Sequence, residues 1–152
     1  MKRRHVLTTL AAGVAAVGLP SMAANALPQV EVFKSPTCGC CGAWVDHLKA
    51  AGFPVKVVEV DDTTVTRNRY GLPDKFGSCH TGIVNGYVVE GHVPAAEVKR
   101  LLAMKPAAIG LAVPGMPVGS PGMEYGDRKD PYDVFLIDKS GRDTVFAHYP
   151  KA

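Results

Sequence analysis

Hydrophobic and polar positions in the first half of the chain predict alternating strands and helices. Residues 30–33 alternate weakly and run into the turn residues Ser35-Pro36-Thr37, which is typical of a strand. Apolar residues then recur at helical spacing over 44–51, and Gly52 supplies a stop. The apolar run 55–60 predicts a second strand, so the chain begins as a β-α-β unit.

The pattern continues with a short helix, a hairpin and a third helix. Residues 61–70 predict a polar helix capped by its two leading aspartates. Asn85-Gly86 lies between apolar runs and predicts a two-residue hairpin turn within 81–90. Residues 94–104 begin with proline and place apolar residues at helical spacing. The order β-α-β-α-β-β-α is that of a thioredoxin-like α/β domain, in which the loop before the third strand faces the start of the first helix.

The remainder of the chain predicts a long loop and a final hairpin. Residues 105–133 are rich in Gly and Pro and show no periodicity, so we expect a long loop there. A loop of that length in a compact domain is normally functional or disordered. Residues 134–137 and 144–148 bracket the turn sequence Asp138-Lys139-Ser140-Gly141, which predicts a C-terminal β-hairpin.

The N-terminal segment is organised like an export signal. Three basic residues at 2–4 precede an apolar run over 6–19, and Ala24-Asn25-Ala26 has the small-x-small pattern of a cleavage site. The apolar run is too short to span a bilayer comfortably. We therefore predict a cleaved signal peptide over 1–26 and a single periplasmic domain over 27–152, exported by the general secretory route rather than the twin-arginine route. An uncleaved anchor is the alternative.

Net charge gives no indication of a nucleic-acid or acidic-surface partner. The precursor carries a formal charge of +3, and the signal segment holds three basic residues and no acidic one. Its removal lowers the Lys and Arg count from 17 to 14, equal to the 14 Asp and Glu. A formally neutral domain without a basic patch gives no indication of nucleic-acid binding. We also expect no stable membrane insertion after cleavage.

The four cysteines are placed for chemistry rather than for a disulfide framework. Three of them lie in the run Cys38-Gly39-Cys40-Cys41, where bridges would close very small loops and remove little unfolded-state entropy. The run lies at the start of the first predicted helix, where unpaired N–H groups favour the thiolate. The fourth, Cys79, lies in the loop that the fold brings to the same place.

Two chemistries fit this cysteine pattern. The spacing of Cys38 and Cys41 fits thiol–disulfide exchange, but Cys40 and Cys79 add competing thiols, and residues 77–82 lack the proline that thioredoxins hold there. Thiolates in this number select Cu(I) or zinc. Because the side chains of adjacent cysteines point apart, they suit bridging of several Cu(I) ions. We predict a copper site on all four cysteines, with dithiol exchange, zinc and structural cysteines as alternatives.

Four segments of the chain carry a family resemblance. They are Cys38-Gly39-Cys40-Cys41, Ser78-Cys79-His80-Thr81, the run 86–95 (GYVVEGHVPA) and the run 110–124 (GLAVPGMPVGSPGME). In this order they resemble the CopG family of periplasmic copper-resistance proteins, long catalogued as a domain of unknown function. The resemblance covers about residues 29 to 149. It implies a thioredoxin-like domain with a polynuclear copper–thiolate cluster, acting as a copper oxidoreductase in copper tolerance.

Other side chains are candidates for secondary roles. His80 follows a cysteine and is predicted to ligate copper or move protons, against a plain loop histidine, and the family motif favours the active-site role. Met116 and Met123 are candidate soft ligands or copper relays, against hydrophobic plugs. His92 is predicted to tether a turn. A copper oxidoreductase and a Cu(I) sequestration or delivery module both remain open, with other periplasmic copper-handling proteins as partners.

Overall fold

In the computed structural model, which describes residues 26–150, the strands of that range join into one seven-stranded mixed sheet. The strands are β1 (Val30–Lys34), β2 (Val55–Glu59), β3 (His80–Val84), β4 (Tyr87–Gly91), β5 (Ala108–Val113), β6 (Tyr132–Asp138) and β7 (Asp143–Tyr149). The helices are α1 (Gly39–Ala50), α2 (Thr64–Arg69) and α3 (Ala95–Met104), with a 3-10 turn at Asp74–Phe76. The spatial order is β2-β1-β3-β4-β5-β6-β7; β1–β2 and β4–β5 are parallel and the other pairs antiparallel.

The predicted hairpins and the short helix are confirmed. Asn85 and Gly86 both have positive φ, 48° and 82°, which is the backbone that the turn between β3 and β4 requires. The C-terminal hairpin pairs β6 with β7. At the start of α2, the side chain of Asp62 accepts a hydrogen bond from the Thr64 N–H at 2.8 Å.

The prediction of one long loop over 105–133 is wrong in part, because β5 lies inside it. This strand is buried along its whole length and pairs with β4 on one side and β6 on the other. A strand that is covered on both faces has an apolar sequence without alternation, and a glycine within the strand weakens its sequence signal further. That glycine is required: a Cβ on Gly110 would lie 1.8 Å from the Val88 carbonyl oxygen. The irregular segment is therefore confined to 114–131.

Helices cover the sheet on both faces. Alternate residues of β4 divide between two cores, because Val89 packs with Trp44 of α1 while Val88 packs with Leu72 and Phe76 near α2. Trp44 is wholly buried, and its indole N–H donates to the Val93 carbonyl oxygen at 2.8 Å. Helix α1 is thereby fixed with its N-terminus at the end of the sheet where β1 ends and β3 begins.

The predicted signal peptide lies almost wholly outside the described residues, which begin at Ala26. Among the helices of residues 26–150, none has the length and apolar character needed to cross a membrane.

Candidate metal centre

The four cysteine sulfurs meet at the N-terminus of α1. Cys38 is the residue that caps this helix, Cys40 and Cys41 lie in its first turn, and Cys79 immediately precedes β3. One sulfur from each residue lies within 4.8 Å of all the others. The predicted approach of the loop before β3 to the start of the first helix is thus confirmed.

Two of the four thiols are oxidised and two are free. Cys38 and Cys41 form a disulfide, with Cα atoms 5.4 Å apart. The sequence argument disfavoured a bridge across so short a loop; it forms because positions i and i+3 at a helix start bring the two Cα atoms within normal disulfide range. The free Cys40 sulfur lies 3.5 Å from Cys38, and the free Cys79 sulfur lies 3.3 Å from Cys41 and 4.0 Å from Cys40.

Cys79 is a thiol rather than a thiolate in the metal-free protein. Burial, followed by the neighbouring Cys40, raises the pKa of Cys79 to about 11. The thiolate-favouring effect of the helix N-terminus therefore does not extend to this residue. A soft metal ion binding here must displace the proton, which makes binding release a proton and weakens it in acid.

His80 is wholly buried beside Cys79. Its Nε2 donates to the Gly91 carbonyl oxygen at 2.9 Å, so the lone pair is on Nδ1, which lies 3.7 Å from the Cys79 sulfur. Burial lowers the pKa of His80 to about 3. The imidazole is therefore neutral at ordinary pH, which suits a metal ligand, whereas burial makes it a weak proton acceptor.

His92 is a second buried imidazole that the sequence interpretation treated only as a turn tether. Its ring lies edge-on to His80, with centroids 4.9 Å apart, and its Nδ1 donates to the Pro121 carbonyl oxygen at 2.8 Å. This bond ties His92 to the irregular segment and not to the turn before α3. The Nε2 of His92, however, is buried without a hydrogen-bond partner among residues 26–150. The hairpin register gave a signal for this position, because Asn85-Gly86 sets His80 opposite Gly91, next to His92.

The two methionines of the irregular segment are placed differently. The Met116 thioether lies 3.8 Å from the Cys79 sulfur, and the residue is held at a φ of 47°, an uncommon backbone for methionine. The side chain of Met116 is 43% exposed, so it lies at the solvent side of the cluster. No sulfur contact within the described part of the chain involves Met123.

The irregular segment closes over the start of α1 at Gly122. This glycine has a φ of 86°, and a Cβ there would lie 2.8 Å from the backbone nitrogen of Trp44 and 2.9 Å from the Cys40 carbonyl oxygen. A side chain at this position would lift the segment from the helix. The segment thus packs closely against the start of α1, beside Cys40.

A buried ion pair holds the Cys79 loop in place. Glu90 is wholly buried and accepts hydrogen bonds from the Ser78 N–H at 2.6 Å and the Thr81 hydroxyl at 2.7 Å, the residues on either side of the Cys79-His80 pair. Arg67 contacts the same carboxylate at 3.3 Å and donates to the Ser78 carbonyl oxygen at 3.1 Å. We call these contacts the Glu90 clamp. No motif in the sequence indicated it.

His80 and Glu90 contribute to stability with opposite pH dependence. The pKa of His80 falls from 6.5 to about 3, so below pH 6.5 the unfolded chain binds a proton that the folded metal-free protein does not, and stability falls as pH falls. Burial raises the pKa of Glu90 from 4.5 to about 7. Between those values the folded protein holds a proton that the unfolded chain releases, so this contribution rises as pH falls.

Glu90→Gln should remove the pH dependence of stability that comes from Glu90 and leave the one that comes from His80. Relative to this variant, we expect the wild-type metal-free protein to gain about 1.4 kcal/mol of unfolding free energy per pH unit as pH falls from 7 to 4.5. Urea unfolding at a series of pH values measures the difference. Parallel profiles for the two proteins would contradict the assignment of the raised pKa to Glu90.

Known proteins resemble this chain in sequence and in fold. The family described as "Protein of unknown function, DUF411" matches residues 76–123. Two solved structures of a copper resistance protein, CopG, in forms 2 and 1, are each 47% identical to this chain and cover 82% of it. The matches extend over 99% and 98% of the CopG chains, with TM-scores of 0.78 and 0.77. No curated protein matches the sequence. Because identity of this level extends over nearly the whole of the CopG chain, the protein described here belongs to the CopG family of copper resistance proteins.

Proposed function

We propose that this protein is a periplasmic copper oxidoreductase that takes copper as its substrate on Cys38, Cys40, Cys41 and Cys79. The observation that carries the proposal is the convergence of these sulfurs within 4.8 Å of one another. Soft thiolate ligands select Cu(I), and sulfurs this close can each serve more than one ion. The thioether of Met116 adds a further soft donor at the solvent side. Together they fit a polynuclear Cu(I) cluster.

The cysteine pair Cys38 and Cys41 supplies the electrons in this proposal. Each thiol gives one electron to one Cu(II) ion, so two Cu(II) become two Cu(I), one disulfide forms and two protons are released. The disulfide of the described structure corresponds to the oxidised end of this step. A dithiol reductant reopens the bond for the next turnover. The proton that Cys79 loses when it binds copper is released to solvent.

Titration of the fully reduced protein with Cu(II), followed by electron paramagnetic resonance, tests the proposal. We expect two equivalents of Cu(II) signal to disappear for each disulfide that forms. Cys38→Ser/Cys41→Ser, which lacks the electron-donating pair, is the control and should reduce fewer ions. A Cu(II) signal that persists at full loading, or a Cu(I) form that no donor or acceptor can cycle, would leave a module that only sequesters or delivers copper.

Thiol–disulfide exchange is the second candidate, and the bond between Cys38 and Cys41 favours it. The arrangement of β1 to β4 with α1 and α3 supports a thioredoxin-like domain. Reduction of a protein disulfide by the copper-free reduced protein, at rates comparable to its reaction with Cu(II), would favour this candidate. We expect slow exchange instead, because Cys40 and Cys79 lie close enough to offer competing disulfide partners to the Cys38–Cys41 pair.

Export is part of the proposal, since a thiol pair that cycles through a disulfide fits an oxidising compartment. We expect cleavage after Ala26, so that the exported protein begins at Leu27. The intact mass of protein from the periplasmic fraction measures this. A mature N-terminus far from Leu27, or recovery with the membranes, would contradict it.

Met116 should assist copper exchange, with Met123 as its matched control. Leucine conserves apolar volume but removes the soft donor. Because the Met116 sulfur contacts Cys79, we expect Met116→Leu to slow copper transfer to a chelator severalfold, and the double variant with Met123→Leu to behave like the single one. Stopped-flow transfer measures the rates. Unchanged rates in the double variant would assign both residues a structural role.

A further inference from the structure

Three possible metal ligands outside the disulfide lie close together on the buried side of the cysteine cluster. Cys79, His80 and His92 each offer one ligand atom within 4.8 Å of the other two, and both imidazoles are wholly buried. Only Cys79 is shared with the cysteine cluster. Their position at the ends of β3 and β4 is fixed by the hairpin register, so the group does not depend on the irregular segment alone.

Both imidazoles are held in one tautomer, which leaves the lone pairs of His80 Nδ1 and His92 Nε2 free. His80 is committed through its Nε2 to the Gly91 carbonyl, and His92 through its Nδ1 to the Pro121 carbonyl. A backbone carbonyl on the outer nitrogen is the usual support of a metal-binding histidine, because it fixes both the ring orientation and the tautomer.

The lone pair of His92 has no protein partner to satisfy it. Its Nε2 is buried and makes no hydrogen bond to the described residues. Leaving a buried polar atom unpaired costs about 1–3 kcal/mol, so such an atom in a folded protein calls for an explanation. A metal ion bound at this nitrogen supplies one.

The spacing fits a metal ion bound between sulfur and nitrogen. Bond lengths of about 2.3 Å to thiolate and about 2.0 Å to imidazole, at trigonal to tetrahedral angles, separate the two ligand atoms by about 3.5–3.7 Å. The Cys79 sulfur and the His80 Nδ1 are 3.7 Å apart.

We propose that Cys79, His80 and His92 form a separate site for a single Cu(I) ion, which remains available when Cys38 and Cys41 are joined as a disulfide. The choice of metal rests on the proposed copper function. Charge supports it independently: one thiolate and two neutral imidazoles with Cu(I) make a neutral complex. A divalent ion would leave a net positive charge among buried groups, which is costly.

This site gives the oxidised protein a way to retain copper. Oxidation removes two of the four thiols from the cysteine cluster, and only Cys40 and Cys79 stay free. A two-nitrogen, one-sulfur site keeps one Cu(I) ion bound while the Cys38–Cys41 bond is reduced again. One of the two Cu(I) ions formed in a turnover then stays bound until the pair is reduced.

The experiment uses the full mature chain carrying Cys40→Ser, oxidised so that Cys79 is its one free thiol, as confirmed by thiol counting. Cu(I) is supplied without oxygen in competition with a Cu(I) chelator. We expect one copper per chain, with two nitrogen neighbours and one sulfur neighbour in copper X-ray absorption. In the same background, His92→Ala should weaken Cu(I) binding by at least the 10–100-fold typical of lost outer-shell support. His148→Ala is the matched control and should have no effect, because His148 is an exposed residue paired with Asp133.

The outcomes separate this site from the proposed cluster. No copper in the oxidised Cys40→Ser protein, a sulfur-only copper environment, or unaltered affinity in a folded His92→Ala protein would overturn the inference. If the reduced wild-type protein then still binds several coppers, the proposed function stands without it. If instead the reduced wild-type protein binds only the one copper held by the oxidised variant, the cluster fails and this site remains. Because the absorption measurement is made on protein with both histidines intact, it does not depend on the folding of the histidine variant.

Discussion

Replacing Cys79 by Ser should lower the copper content of the reduced protein at least as much as replacing Cys38 by Ser. The Cys79 sulfur lies 3.3 Å from Cys41 and 4.0 Å from Cys40, so it takes part in the same cluster, although it is far away in sequence. A hydroxyl is a poor ligand for Cu(I). Anaerobic loading followed by metal and protein analysis measures the ratio.

The comparison between the two cysteines decides the type of site. Met104→Leu is the control for loss of a sulfur elsewhere, because this methionine is 61% exposed at the end of α3. We expect it to leave copper content unchanged. If Cys79→Ser were silent while Cys38→Ser and Cys41→Ser each removed copper, a plain dithiol pair would replace the four-cysteine cluster.

Arg67→Met should destabilise the protein by about 3–5 kcal/mol, the usual cost of removing one partner from a buried ion pair. Arg67 is nearly buried, and its guanidinium contacts the wholly buried carboxylate of Glu90. Methionine keeps much of the apolar stem but leaves the carboxylate without its cation. Because a domain of this size has only about 5–15 kcal/mol of stability, the loss is large. Urea unfolding of the metal-free protein above pH 7, where Glu90 is ionised, measures it.

Two further variants show whether the effect comes from the ion pair. Arg69→Met makes the same change at an exposed position of the same helix and should cost less than about 0.5 kcal/mol. Adding Glu90→Gln to Arg67→Met removes the unpaired charge and should recover part of the loss. A loss below about 1 kcal/mol for Arg67→Met would show that the Glu90 clamp does not need its cation.

Much of the fold follows from local patterns. The Asn85-Gly86 turn permits positive φ at both positions and so fixes the β3–β4 hairpin and its register. The helical repeat that follows the cysteine run predicts the start of α1. Strand β5 was not predicted, because burial on both faces removes the alternation on which strand prediction depends.

Some features of the metal centre likewise follow from the sequence, and others depend on the tertiary structure. The sequence by itself determined that three cysteines lie at a helix start and that a fourth lies in a loop before a strand, because both facts are local. Only the tertiary structure decided that Met116, and not Met123, makes a sulfur contact to the cluster among the described residues. It also decided that Glu90 and Arg67 hold the Cys79 loop. The burial of the His92 lone pair without a partner among these residues is a third such feature. These depend on distances between elements far apart in the chain, and on which nitrogen of each imidazole the backbone occupies. Neither is encoded in the spacing of residue types, since both arise only when the sheet order and the irregular segment bring the groups together.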